Sequence, residues 1–380
     1  MNFKLTEEHL MVRDAAREFA ANELLPGVIE RDNTQSFPIE IIRKMGQLGF
    51  MGIMVDPKYG GSGMDTISYV LIMEELSKID ASASVMVSVN NSLVCFGLEA
   101  YGTEDQKQKY LSKLATGEYI GAFCLSEPEA GSDATSQQTT AIEKEDHYII
   151  NGTKNWITNG GIADVYLVVA QTDRSKGHRG INVFIVEKNT AGFNIGPKED
   201  KLGIRGSDTH TLQFNDVKVP KENRIGEDGF GFTFAMKTLS GGRIGIAAQA
   251  LGIASGAYEL ALKYSKERKA FGKEIANHQA IAFKLADMYT EIEAARLLVM
   301  KAAYDKDQGN NYDTSSAAAK LYASKVAMTQ TVEAVQIHGG NGFVKDYHVE
   351  RLMRDAKITQ IYEGTSEIQK IVISRAILKD

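Results

Sequence analysis

The feature that most restricts the fold is a change of texture in the middle of the chain. Between about residue 121 and residue 230, short apolar runs are punctuated by turn residues, whereas both flanks read as helix. The β-like runs are Tyr148–Asn151, Val165–Ala170, Ile181–Val186 and Thr211–Val219. No long helical stretch separates them, which implies an antiparallel barrel or sandwich. In the last run Leu212, Phe214, Val217 and Val219 are apolar, and Asn215-Asp216 breaks the alternation, which predicts a bulge.

The flanks carry their own boundaries. Thr6 is placed to cap a first helix with Glu7 and Glu8 in its first turn, and Pro26-Gly27 ends that segment. Pro57–Gly63 reads as a loop before a helix at Ile67–Ile79. After residue 231, Ile281, Leu285, Met288, Ile292, Ala295 and Val299 recur at spacings of 4, 3, 4, 3 and 4, a stripe suited to a helical bundle. Asp313–Ile337 and Thr365–Leu378 continue it. The expected fold is therefore α+β: an N-terminal helical domain (1–120), a middle β domain (121–230) and a C-terminal helical bundle (231–380).

Composition narrows the function. Hydrophobic residues at 43% and charged residues at 24% describe an ordinary globular chain. With 43 Lys+Arg against 49 Asp+Glu, a net charge of −6 and no basic block, a nucleic-acid partner is not expected. No uninterrupted apolar run approaches the about 18 residues of a membrane span. The first residues have neither the apolar core of a signal peptide nor the acid-poor composition of a transit peptide. Cys95 and Cys124 form no metal or redox spacing, so a reducing cytoplasm is the expected compartment and no metal site is expected.

Four segments could carry chemistry, and each has a plain structural account beside the functional one. Phe123, Cys124, Leu125, Ser126, Glu127, Pro128, Glu129, Ala130, Gly131, Ser132 and Asp133 form a strand-like start running into a polar loop. Its N–H groups and hydroxyls suit an anionic or heteroaromatic ligand, or simply a turn. Trp156, the only tryptophan, with Ile157, Thr158 and a following glycine pair, suits a planar ring system, or a core aromatic before a turn. Gln336, Ile337, His338, Gly339 and Gly340 end a helical stretch, as a pyrophosphate cradle or a helix stop. Glu363 and Gly364 precede Thr365, Ser366 and Glu367, where Ser366 and Gln369 have capping-box spacing. Glu363 is thus a candidate general base or part of a helix start.

These segments in this order resemble the acyl-CoA dehydrogenase family, and the resemblance runs from Phe3 to the C-terminus. DKLGIRGS (Asp200–Ser207), ERKAFGK (Glu267–Lys273) and MRDAK (Met353–Lys357) extend it. It implies three domains, the last a four-helix bundle, in a homotetramer carrying FAD. Phe123–Ser132 and Trp156-Ile157-Thr158 would surround the flavin ring, with Thr158 bonding near N5. Arg268 and Gln279 would meet the pyrophosphate end across a subunit boundary. Gln336–Gly340 would hold the ADP portion of a neighbour's FAD, and Thr365, Ser366 and Glu367 would add contacts.

Glu363 matches the family's base in its usual place. Some members carry the base on an earlier helix, where this chain has Gly242. Ser132, Ser240, Gly241, Gly242, Arg243 and Gly364 would line the substrate. Ser240 stands where Asp is common in the family, at a position touching the CoA moiety, whereas Arg243 keeps the family match. Ser88–Leu93 resembles the short-chain branch, which implies a butyryl-CoA-like substrate and an electron-transfer flavoprotein as partner. The alternatives are a short/branched-chain enzyme, an acyl-CoA oxidase, or a non-catalytic oligomer that binds CoA esters or flavin.

Overall fold

The computed structural model describes residues 4–379. The N-terminal helices are α1 (Glu7–Phe19), α2 (Val28–Thr34), α3 (Ile39–Gln47), α4 (Thr66–Ile79), α5 (Ala81–Ser88), α6 (Phe96–Tyr101), α7 (Glu104–Gln106) and α8 (Ser112–Thr116). Thr6 does cap α1: its hydroxyl accepts from the His9 N–H, and the His9 ring closes the box.

The sheet contains β1 (Gly121–Cys124), β2 (Thr140–Glu143), β3 (His147–Thr158), β4 (Val165–Gln171), β5 (Ile181–Glu187), β6 (Phe193–Lys198), β7 (Thr209–Pro220) and β8 (Arg224–Ile225). Its order is β6-β7-β3-β2-β4-β5-β8, with β1 also on β4. The pairing is antiparallel except that β1 runs parallel to β4 and β2 meets β4 in a single parallel pair. That refines the antiparallel expectation. β1 enters from the helical domain, and the β2–β3 hairpin intervenes before β4, so the connection is long enough for a parallel return.

β4 is buried along its whole length and β5 except at Glu187, and both pack against the long helix that follows the sheet, Gly231–Glu267. The expected bulge is present. Asn215 and Asp216 on β7 oppose the single Asn151 on β3, and Asp216 takes φ 52° while bonding to the Asn151 amide.

The C-terminal part holds α9 (Gly231–Glu267), a hairpin of β9 (Lys269–Ala270) and β10 (Lys273–Glu274), then α10 (Gln279–Asp307), α11 (Asp313–His338), α12 (His348–Ile358) and α13 (Ser366–Ile377). α9 is the axis of the molecule, packed by α4 and α5 and by α10, α11 and α12. Small residues permit this. A Cβ at Gly252 would come within 2.4 Å of the Glu74 carbonyl oxygen, and one at Gly256 within 2.4 Å of that of Lys78. The α10 stripe points inward from Leu285 to Val299, with Ile281 at its half-buried start.

Two helical stretches, Ala81–Tyr101 and Gly231–Glu267, are long and apolar enough on average to cross a membrane, although charged and polar residues interrupt both. Their most apolar windows are 94% and 83% buried inside the protein, which is the environment of core helices.

Candidate active site

The loop between α12 and α13 carries Glu363. Thr365 is the N-cap of α13, its hydroxyl accepting from the Ile368 N–H at 3.4 Å. The capping-box spacing of Ser366 and Gln369 is misleading, because the Gln369 amide instead donates to the carbonyls of Glu363 at 3.2 Å and Gly364 at 2.8 Å. Glu363 takes φ 50° and Gly364 φ 91°, a left-handed pair that costs a non-glycine residue energy. The residue is half-buried, but Oε2 is shut off from solvent and has no hydrogen-bond partner. Burial pushes the Glu363 carboxyl up to about 7, against the opposing pull of Lys320 and Arg243. The Glu363 N–H bonds to no other described residue.

Across from it runs α9. A Cβ at Gly242 would stand 2.1 Å from Glu363 Oε2 and 2.9 Å from Leu93 Cδ2, so glycine here makes room for the carboxylate. Position 242 and the Glu363 carboxylate therefore share one space. Beside Gly241 the nearest atom to an added Cβ is Ser92 O, at 4.0 Å. The Ser240 hydroxyl donates to Met236 O at 3.1 Å and accepts from Arg243 Nη1 at 3.4 Å. Arg243 is buried, its Nε is unpartnered, and burial lowers its pKa. Two ionisable groups of opposite charge are thus left with unused polar atoms in one place, an arrangement that calls for a polar ligand.

Phe123, at the end of β1, lies 6.4 Å from the Phe234 ring on α9, about two turns before Gly242. This brings the loop after β1 to the same end of α9. The loop is sewn to β3. The buried Lys154 ammonium donates to Leu125 O at 3.0 Å, Glu127 Oε1 at 2.7 Å and Gln137 Oε1 at 2.8 Å, and the Asn155 N–H donates to Ser126 O at 2.9 Å. Glu127 and Ala130 close a tight turn through paired backbone bonds. Cys124 and Glu127 are buried and turn their side chains inward, so neither is open to a ligand. Pro128, Glu129, Gly131 and Ser132 are exposed.

The next residue on β3 after Asn155 is Trp156, 57% exposed at φ 57°. That removes the core-aromatic reading. Ile157 is buried, and the Thr158 hydroxyl bonds to no other described residue. An exposed indole, a spare hydroxyl and a pinned polar loop fit a planar heteroaromatic group.

Lys154→Met is expected to cost about 3–5 kcal/mol, because it strands the buried Glu127 carboxylate. Burial already drops Lys154 to about 8 against the pull of Glu127. Thermal unfolding with and without flavin checks this: stability and flavin retention should fall together, and an unchanged variant would show the pair to be idle.

Arg268, Gln279 and Gln336–Gly340 gather at the far end of the bundle. Tyr264 on α9 stacks on His338 of α11 at 4.3 Å and accepts from Asn341 Nδ2 at 2.9 Å. This sets Arg268, at the end of α9, near Gly339 and Gly340, whose Cα positions are open. Lys284 of α10 pairs with Glu333 of α11, which brings Gln279 to the same end. Gln336 is exposed, whereas Ile337 and His338 turn into the core, His338 Nδ1 bonding Ala334 O at 2.8 Å. Thr365, Ser366 and Glu367 form the first turn of α13 and its cap.

Sequence reasoning missed Lys154 and Lys320, and read Gln369 only as a capping-box partner. Lys320 had a signal. It falls at helical spacing among Ser316, Ala323 and Ala327, all buried, where a lysine is out of place.

Matches to known proteins agree with this layout. Three family models cover the chain: acyl-CoA dehydrogenase N-terminal domain over residues 6–118, middle domain over 122–217 and C-terminal domain over 229–378. The chain is 55% identical over 379 residues to a short-chain specific acyl-CoA dehydrogenase of Clostridium acetobutylicum, covering 100% of both. It superposes on the butyryl-CoA dehydrogenase structure from Megasphaera elsdenii with a TM-score of 0.98 at 51% identity, again over 100% of both chains. A chain from the structure of the electron transferring flavoprotein of Acidaminococcus fermentans, solved toward a mechanism of flavin-based electron bifurcation, gives 0.99 at 53% identity over 100% of both. This chain belongs to the acyl-CoA dehydrogenase family.

Proposed function

We propose that this protein dehydrogenates short-chain acyl-CoA thioesters, with Glu363 as the base and FAD as the cofactor. The observation that carries the reading is the buried, unpartnered Oε2 of Glu363 opposite Gly242, on a carboxyl that titrates near neutrality. A base at this pKa is matched to proton abstraction at physiological pH. FAD, when bound, supplies the acceptor for the hydride leaving Cβ.

The chain's own residues do the rest. Glu363 Oε2 takes the α-proton. The free Glu363 N–H is available to the thioester oxygen as negative charge develops there, and such preorganised donors are worth several kcal/mol. Burial keeps water from competing for the proton. Trp156, Thr158 and the Leu125–Ser132 loop hold the flavin ring. Arg268, Gln279 and Gln336–Gly340 serve the FAD of a neighbouring protomer in a homotetramer. The apolar residues Phe271, Phe283, Tyr289, Leu297 and Tyr304 are exposed on the hairpin and α10, as a tetramer contact requires. Reducing equivalents leave to an electron-transfer flavoprotein, a partner supported by the likeness to the Acidaminococcus chain. Likeness to the caffeyl-CoA reductase-Etf complex subunit CarC of Acetobacterium woodii, 47% identical over 375 residues, favours a second reading, in which Glu363 returns a proton to Cα during enoyl-CoA reduction.

Purified protein should be yellow, carry one non-covalent FAD per chain and scatter light as a tetramer. Dye-coupled turnover should peak near butyryl-CoA. The peak should be broad, because a methylene is worth only about 1–3 kcal/mol. A maximum at lauroyl-CoA or longer would refute the short-chain assignment, and a stable monomer with full FAD and activity would refute the tetramer. Rapid oxygen consumption with butyryl-CoA would point to an oxidase.

A further inference from the structure

Beneath the Glu363 loop lies a cation that the reaction as described does not use. Lys320, two turns into α11, is fully buried. An ammonium has three donors, yet this one makes a single hydrogen bond, to the Gly364 carbonyl oxygen at 2.6 Å, and forms no ion pair with any described residue. Burying a charge without a counter-ion in contact is expensive, and Met would fill the space without that cost. What the charge faces explains its retention.

The Gly364 carbonyl that Lys320 holds follows directly on Glu363. Lys320 from α11 and Gln369 from α13 together grip the two carbonyls of the left-handed pair. The charged and titratable groups around Glu363 are Lys320 on α11, Arg243 on α9, Tyr69 on α4 and the adjacent Tyr362. Both tyrosines are pushed well above their ordinary range by burial. Only Lys320 and Arg243 favour the carboxylate. Lys320 in turn is lowered to about 7 by burial and by Arg243, against the pull of Glu363 and Glu367. The acid and the lysine therefore titrate as a coupled pair.

We propose that Lys320 is a positioning residue for the reaction: its hydrogen bond to Gly364 fixes the strained backbone that aims Glu363, and its unpaired charge keeps that carboxylate available as a base. The inference rests on Glu363 being the base. A purely structural lysine would hold the loop without setting where Glu363 titrates.

The test uses the FAD-loaded protein and reads the Glu363 carboxyl by infrared difference spectroscopy across pH, its band assigned by its loss in Glu363→Gln. Flavin bleaching by butyryl-CoA is followed over the same range. Lys320→Gln keeps a donor and removes the charge, whereas Lys320→Met removes both. Each should move the Glu363 titration, and the acid limb of bleaching with it, up by about one pH unit or more, because one of two stabilising cations is gone. Lys320→Met should also lower the high-pH rate below that of Lys320→Gln, and Lys320→Arg should return the titration toward wild type.

An unchanged titration in both charge-removing variants overturns the inference, as does a shift that Lys320→Arg shares. Failure of both charge-removing variants to retain FAD makes Lys320 a fold residue and likewise overturns it. If Glu363→Gln still bleaches at near the wild-type rate, the base assignment fails first. If that variant is inert while the Lys320 variants titrate as wild type, only the role of Lys320 falls.

Discussion

Glu363→Gln protein mixed anaerobically with butyryl-CoA is expected to bind the thioester and leave the flavin oxidised. Loss of a positioned base costs about 10²–10⁴-fold, and the upper end or beyond is expected because Oε2 is closed to the water that might replace it. Binding should survive, since a base acts in the transition state rather than in holding substrate or cofactor.

Stability gives an independent check. The folded state lifts this carboxyl from 4.5 to about 7. A raised acid favours the native state in its protonated form, so its contribution is present below the unfolded pKa and is lost as pH rises through the folded value. Glutamine is neutral throughout. The melting temperature of the variant relative to wild type should therefore climb between about pH 4.5 and pH 7. A variant that bleaches at nearly the wild-type rate would move the base elsewhere.

Gly242→Ala, a change of one methyl group, is expected to slow bleaching by about 10²-fold, the cost of misplacing a reacting group by about an ångström. The new Cβ would lie 2.1 Å from Glu363 Oε2 and 2.9 Å from its Cδ, so the carboxylate must move. The displaced atoms end a flexible side chain, and Leu93 Cδ2 can also give way, so the fold should persist with its FAD. Added to Glu363→Gln, the same methyl should cost little more, because both changes disable one unit. Wild-type bleaching in Gly242→Ala would mean that the working carboxylate does not sit against α9.

Local pattern accounts for the parts that were legible. Side-chain periodicity along a single element exposes which face is buried, so the α10 stripe, the β runs and the Asn215-Asp216 bulge could be read directly. The site segments were each ambiguous alone, because a glycine run or a capped carboxylate serves structure as readily as chemistry. Their order along the chain identified the family, and with it Glu363 as the candidate base.

Tertiary structure decided the rest. Whether Trp156 was a core aromatic or an open platform depended on the left-handed turn at the end of β3. Gln369 left the helix cap because two carbonyls of the preceding loop were within its reach. Lys154 meets Glu127 across 27 residues, and Lys320 meets Gly364 across 44. No local pattern encodes such pairings, since they arise where separate elements are packed together. What the sequence by itself determined was the succession of helical and β regions and the family, and it singled out Glu363 as the candidate base. The space opposite that residue, left open by Gly242, and the charge beneath it, held by Lys320, exist only because α9, α11 and the last loop converge.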